Sequence, residues 1–293
     1  MQIIGESFAG MATSATRVIE LYYPEEKRLF TDPFALKLLP PGWQVMFRLL
    51  YLPGLRDVIL ALRERRMPGS LGGILCRHRY IDDILKRSLN EGIEQVVILG
   101  AGFDSRAYRI KDMAKVHVFE VDLPGTVEMK EKRLEKVLGQ VPEHITLVGI
   151  DFDKQVLGDV LRAAGYQVNK KTLFIWEGVT QYISAEAVES TLNFVSGFSG
   201  EGSAIVFTYV RRGSIDGTDA PDWFRGFSKL AKRIGSPLIF GLDEANLASY
   251  LSSCGLRLVS DVGADEYQEI YLKPLGRKLN VFNGERAAFA VVD

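Results

Sequence analysis

Cysteine is scarce in this chain, and histidine nearly so. Only Cys76 and Cys254 occur among 293 residues, too few for a disulfide framework. His78, His117 and His144 are scattered without zinc spacing, so no metal site is expected. Net charge is lacking too: 36 Lys and Arg stand against 37 Asp and Glu, a formal −1. Nothing global steers the protein toward nucleic acid or anionic lipid, and neither a nucleic-acid nor a membrane partner is expected. Long apolar runs are also missing. The most apolar stretch, Trp43 to Leu62, is interrupted by Arg48, Pro53-Gly54, Arg56 and Asp57 and is too broken to span a bilayer. Met1-Gln2-Ile3-Ile4-Gly5-Glu6 places no basic segment before an apolar core, so no secretory signal is read there. These absences point to a reduced, cytoplasmic protein that acts on a small molecule or on a local patch of a larger one.

With 47% hydrophobic and 25% charged residues, the chain has the composition of a globular protein and not of a disordered one. Its first ninety residues carry helix-spaced apolar positions around Ala12–Tyr22, Pro33–Leu39, Val45–Tyr51, Leu55–Arg65 and Ile74–Asn90, separated by proline and glycine. From Gln95 the period changes. Short apolar runs at Val96–Leu99, Val116–Val121, Ile145–Ile150, Thr172–Trp176 and Ala204–Tyr209 alternate with helical stretches such as Gly125–Leu138, Val156–Ala164 and Ala185–Phe194. That alternation predicts a parallel sheet covered by helices on both faces. A helical cap over residues 1–92 and an α/β core over 93–293 are expected. A lid rich in Gly, Pro and aromatics is inserted at about 211–241. The helix Asp243–Ser252 follows, with strands at Leu256–Ser260, Glu269–Leu272 and Ala287–Val292.

The chemistry gathers at strand ends. Val96-Val97-Ile98-Leu99 runs into Gly100-Ala101-Gly102, where bare backbone lets a nucleotide-like ligand approach. Some twenty residues later Phe119-Glu120-Val121-Asp122 closes the next strand, the spacing of an acid that bonds ribose hydroxyls. Glu120 faces the same side as Asp122, and alternation does not separate the two. A dinucleotide turn wants a third small residue to admit a pyrophosphate. Phe103, Asp104 and Ser105 stand there instead. A carboxylate repels a pyrophosphate but suits a ligand bearing ammonium and sulfonium groups. S-adenosylmethionine carries both, together with a ribose.

At these residues the chain resembles the leucine carboxyl methyltransferase family. The resemblance runs through Thr31-Asp32-Pro33-Phe34-Ala35, Arg77 with Ile81-Asp82, Gln95 to Arg109, Phe119 to Pro124 with Lys130, and Trp176-Glu177-Gly178-Val179-Thr180-Gln181-Tyr182-Ile183. It covers roughly the first two thirds of the chain. It implies a class I methyltransferase fold, with a Rossmann-like sheet and a helical N-terminal extension; the inserted lid is read from composition alone. It further implies that Gly100, Ala101, Gly102 and Asp104 approach the methionine part of S-adenosylmethionine and that Asp122 and Leu123 meet its ribose. By the same resemblance Asp151 and Phe152 meet the adenine, Glu177 and Gly178 lie near the methionyl group, and Arg77 pairs with the cofactor carboxylate. Periodicity supports the last assignment, because Arg77 falls inside the apolar arc of Ile74, Ile81, Ile84, Leu85 and Leu89. An arginine so placed must find an anion, which is either the cofactor or a structural partner at Asp104 or Glu177. Candidate substrate contacts are Arg17, Tyr182 and Trp223.

The expected activity is methyl transfer to a carboxylate of a small molecule or a protein C-terminus. A carboxylate is already ionised near neutral pH and needs no base, and the sequence offers no His-Asp dyad; His117 reads as a packed strand residue. Three alternatives stand beside this one: transfer to a phenol or other hydroxyl, an NAD-dependent oxidoreductase, and a cofactor-binding protein without catalysis. Arg63, Arg65 and Arg66 suit an acidic substrate or simply a solvated face.

Overall fold

A computed structural model describes residues 13–48, 52, 54–151 and 154–292. Five of the apolar runs become strands β1 (Gln95–Leu99), β2 (His117–Asp122), β3 (Ile145–Gly149), β4 (Thr172–Trp176) and β5 (Ala204–Val210). With β6 (Leu256–Val262) and β7 (Glu285–Val292) they form one sheet in the order β3-β2-β1-β4-β5-β7-β6. The pairs among β1 to β5 are parallel, whereas β7 lies antiparallel to β5 and β6. The expected parallel sheet is therefore mixed at one edge. Antiparallel pairing lets β7 slot between its neighbours without a crossover helix.

Side chains alternate across the sheet and divide the core in two. Val96 and Ile98 join Leu75, Ile81, Ile84 and Leu85 of the helix Ser70–Asn90 on one face. Val97 and Leu99 join Leu157, Leu161, Val188 and Leu192, from the helices Leu157–Ala163 and Ala185–Gly197, on the other. Ser70–Asn90 is thus a layer of the sandwich, and the boundary expected at residue 92 does not separate two cores. The helix Pro124–Leu138 starts with proline in its first turn and stops at Gly139, which has φ +87°, so the chain signals both ends.

Three local expectations change. The helix expected over Val45–Tyr51 already begins at Pro41, since proline fits a first helical turn, and is described as far as Arg48; residues 49–51 lie outside the described set. Glu269–Leu272 is no strand. Gly263 N donates to Glu266 Oε2 at 2.7 Å and opens the helix Ala264–Tyr267, which continues into a wide turn over Gln268–Leu272. A short apolar triplet does not by itself distinguish strand from helix. His117, expected to be packed, is exposed at the start of β2 and meets Thr146 Oγ1 at 2.9 Å. Within the insertion, the helices Arg212–Asp216 and Asp222–Arg233 enclose an aromatic core of Phe224, Trp223, Phe227 and Phe282.

Candidate functional site

Strand order reverses between β1 and β4, and a crevice forms outside the carboxyl ends of strands at such a point. Ile98 is in register with Ile175, so the Gly100 turn and the Glu177-Gly178 segment emerge side by side. Gly100 (φ 64°), Gly102 (φ 39°) and Gly178 (φ 72°) all adopt left-handed backbone, which other residues rarely tolerate. A Cβ on Gly100 would overlap Val179 Cγ2, and one on Gly178 would sit 3.1 Å from Arg77 Nη2. The glycines let the two strand ends and Arg77 close on one another.

Asp122 ends β2 beside this turn. Its Oδ2 accepts from Gly102 N at 2.6 Å and its Oδ1 from Leu123 N at 2.7 Å, and Thr126 adds a side-chain hydrogen bond, so the carboxylate, with about four lone-pair sites, keeps capacity for a further donor. A small pocket opens here, lined by Ala101, Gly102, Glu120, Asp122, Thr126 and Lys130 among others. Glu120 and Asp122 therefore both face it, and their partners distinguish them. Glu120 Oε2 accepts from Tyr108 Oη at 2.6 Å and pairs with Lys130 Nζ at 2.8 Å, while its buried Oε1 has no hydrogen-bond partner among the described residues. Burial raises the Glu120 carboxyl above its ordinary range despite Lys130.

Between this pocket and β7 lies a buried charge cluster. Arg77 Nε meets Glu177 Oε1 at 3.1 Å, and Arg77 Nη1 bonds Glu285. Arg106 is fully buried and joins Asp82 Oδ1 at 2.8 Å, Glu177 Oε2 at 2.8 Å and the Asp104 carboxylate. Arg109 Nη2 donates to both oxygens of Asp82, at 2.6 Å from Oδ1 and 2.7 Å from Oδ2. His78 sits among these groups, its Nδ1 2.7 Å from Arg106 Nη2 and its Nε2 2.8 Å from Arg109 Nη2. Burial would raise the Glu177 carboxyl, but Arg106, His78 and Arg77 outweigh it and hold it well below the usual carboxylate range. Burial, reinforced by Arg106, pushes the His78 imidazole down.

The structure thus gathers Arg77, Gly100, Ala101, Gly102, Asp104, Asp122, Leu123, Glu177 and Gly178 at one edge of the sheet. Arg77 meets Glu177, the structural partner that the sequence offered as the alternative to the cofactor, while Glu285 beside it and Arg106 beside Asp104 are partners that the sequence did not specify. Arg77 is thus shared between two carboxylates. Asp151 lies just beyond β3, partly exposed, and pairs with Lys154 at 2.6 Å; Phe152 lies outside the described residues. Of the three candidate substrate contacts, only Tyr182 is near Arg77 and Glu285, and burial raises its phenol. Arg17 is buried behind the turn, donating to Asp32 Oδ2 at 2.9 Å and to the Phe103 carbonyl at 2.6 Å. Trp223 packs on Phe282, ring centroids 4.8 Å apart, inside the lid's own core. Sequence reasoning passed over Arg106, His78, Asp82 and Glu285. A histidine inside the Arg77 arc and an acid just ahead of the last apolar run were the available signals.

A family profile for leucine carboxyl methyltransferase matches residues 10–196. The chain belongs to the leucine carboxyl methyltransferase family. The match ends before the lid and before β7, so Glu285 lies outside it. A candidate S-adenosyl-L-methionine-dependent methyltransferase from Frankia alni is 34% identical over 207 residues, covering 70% of each chain. Another from Mycobacterium avium is 28% identical over 260 residues, covering 87% of this chain and 85% of its own. The crystal structure of a candidate methyltransferase from Thermobifida fusca superposes with a TM-score of 0.53 at 13% identity, covering 81% of this chain and 88% of that one. The last likeness concerns fold alone, and that fold is the class I methyltransferase sheet.

Proposed function

We propose that this member of the family transfers the methyl group of S-adenosylmethionine to a carboxylate oxygen and so forms a methyl ester on a small acid or a chain terminus. Family membership supports the donor, and the residues present suit it. Ribose hydroxyls are donors, and the pocket offers the remaining accepting capacity of Asp122 next to Glu120 Oε1, which has no hydrogen-bond partner among the described residues. The methionyl end is a zwitterion, and Arg77 with Glu177 and Glu285 presents both signs of charge. When bound, the cofactor supplies an electrophilic methyl group on a sulfonium. The chain's own part is to orient the two reactants and keep water out.

One observation carries the choice of acceptor: none of the three histidines is placed to act as a base at the crevice. Both ring nitrogens of His78 face guanidinium groups. His117 lies at the amino end of β2, and His144, ahead of β3, meets the Ala107 carbonyl at 3.3 Å. A carboxylic acid, with a reference pKa of about 4, arrives ionised, whereas a phenol near 10 calls for a base. Incubation with methyl-tritiated cofactor and a panel of carboxylic acids is expected to give product that releases methanol in alkali. An alkali-stable product overturns the carboxylate acceptor but leaves methyl transfer standing. Calorimetry in which NAD binds and S-adenosylhomocysteine does not overturns the donor as well.

A further inference from the structure

The helix Leu55–Arg66 is mounted inside out. Its polar face meets the body of the protein: Arg56 Nη1 donates to the Tyr22 carbonyl at 2.8 Å, Arg63 Nη1 to Thr16 Oγ1 at 3.1 Å, and Glu64 Oε1 accepts from Asn280 at 2.6 Å. Leu60 is the apolar side chain that packs inward beside them. The stripe Leu55, Val58, Ile59 and Leu62 has the spacing of a core-facing helix, yet Val58 is 56% exposed and Leu62 45%. The preceding helix, Pro41–Arg48, does the same in part. Trp43 and Phe47 pack inward, while Val45 and Met46 stay exposed. Exposed apolar patches of this kind mark interaction surfaces.

Charge selects the occupant. Residues 41–66 hold five arginines against Asp57 and Glu64, in a chain whose total is −1. Arg48, Arg65 and Arg66 are exposed, and no salt bridge joins them to an acid among the described residues. At roughly 100° per residue, Arg65 falls just beside the stripe of Leu55, Val58, Ile59 and Leu62, and Arg66 falls within its arc at the carboxyl end. A second copy docked by two-fold symmetry would set Arg65 and Arg66 against the amino end of the other copy's stripe, which carries no acid on that face. An anionic surface with an apolar interior satisfies both features together, because arginines reach phosphate groups while the stripe enters the acyl boundary.

We infer that the helix Leu55–Arg66, together with Val45 and Met46, docks on an anionic lipid bilayer. This is an interfacial attachment: no described helix is long and apolar enough to cross a membrane. In the linear sequence the same segment reads only as too interrupted to span. Its meaning comes from the fold, which turns the polar side inward.

Flotation of the full chain with vesicles of phosphatidylcholine and phosphatidylglycerol in equal parts, and with phosphatidylcholine alone, tests the inference. Binding is expected on the anionic vesicles and should weaken as salt is raised. Leu62→Asp should lower it about tenfold, and Arg65→Glu with Arg66→Glu by a similar factor on anionic vesicles only. The melting temperature should hold in every variant, since these side chains are exposed; Val58→Ser serves if Leu62→Asp does not fold. Equal binding by parent and variants, or no flotation by the parent, overturns the inference. A parent dimer that Leu62→Asp converts to monomer assigns the face to a second copy and overturns it too. Affinity for S-adenosylhomocysteine, unchanged throughout, keeps this outcome separate from the methyltransferase reading.

Discussion

Arg106→Met removes the guanidinium at the centre of the buried cluster and keeps an unbranched apolar stem, and the structure fixes how much should be lost. Arg106 is fully buried and touches three carboxylates and His78. Two of the carboxylates keep other cations after the change. Asp82 retains Arg109 at 2.6 Å, and Glu177 retains Arg77 at 3.1 Å with His78 at 3.2 Å. Asp104 keeps the backbone N–H of residue 106, at 2.7 Å, and the more distant pull of His78 and Arg17, but no direct ion pair. One buried charge is therefore stranded, not three, and breaking one such pair costs about 3–5 kcal/mol. That is a large part of a typical total of about 5–15 kcal/mol, so the variant should fold but melt early. For a chain of this size the loss corresponds to roughly 6–10 °C. Urea unfolding and thermal melts measure it directly. Adding Asp104→Asn removes the stranded charge, so the double variant should recover about 1–2 kcal/mol relative to Arg106→Met. A single variant within about 1 kcal/mol of the parent, or a double variant that is simply additive, would refute the claim that Asp104 is the group Arg106 neutralises.

Asp122→Asn keeps the side-chain shape but weakens a charge-assisted hydrogen bond to the ribose, so calorimetry should show about 10–100-fold weaker S-adenosylhomocysteine binding; an unchanged affinity would count against Asp122. Gly100→Ala forces a left-handed residue against Val179 and should cost about 1–3 kcal/mol in urea melts, whereas a neutral outcome would mean that the turn relaxes freely. His78 is held below its ordinary 6.5 by burial and by Arg106, with Glu177 and Asp82 opposing. The unfolded chain takes up a proton that the folded chain refuses, so stability should fall as pH drops below about 6.5. His78→Gln should show a shallower fall across the same window, and parallel curves for parent and variant would exclude His78 as a source of that slope.

The strands and the glycine turn were legible because they obey short-range rules. Val96 to Leu99 is a continuous apolar run, Gly100 follows it, and Asp122 closes the next run. Residues whose meaning depends on distant partners were not legible. Arg106 lies in a four-residue helix, Arg106–Arg109, too short for periodicity to show a buried face. Its partners Asp82 and Glu177 are 24 and 71 residues away. Glu285 reaches Arg77 across 208 residues. It does so because β7 runs antiparallel, which brings its first residue beside Val210 at the carboxyl edge of β5. A parallel β7 would have carried Glu285 to the opposite edge. The inverted helix Leu55–Arg66 was hidden for a related reason: a stripe gives a helix its faces but not which of them turns inward.

The two central arginines divide a task that methyl transfer imposes. Such a reaction depends on placement, so the loops that hold the donor must be fixed in direction as well as in depth. Apolar packing alone would match a buried ion cluster in stability, but it sets no direction for Glu177 or Asp104. Arg106, with no exposed surface, ties the helix Ser70–Asn90, the glycine turn and the end of β4 to one guanidinium plane. Arg77 sits at the margin of the same cluster, its side chain 9% exposed, and one of its partners, Glu285, is 18% exposed. Burial raises the Glu285 carboxyl, with Arg77 opposing. A pair that is partly solvated and includes a carboxylate disfavoured as an anion is the one that gives way to an incoming carboxylate at least cost. The cluster therefore reads as a rigid centre at Arg106 with an exchangeable edge at Arg77, which is where the proposed function sets the cofactor carboxylate.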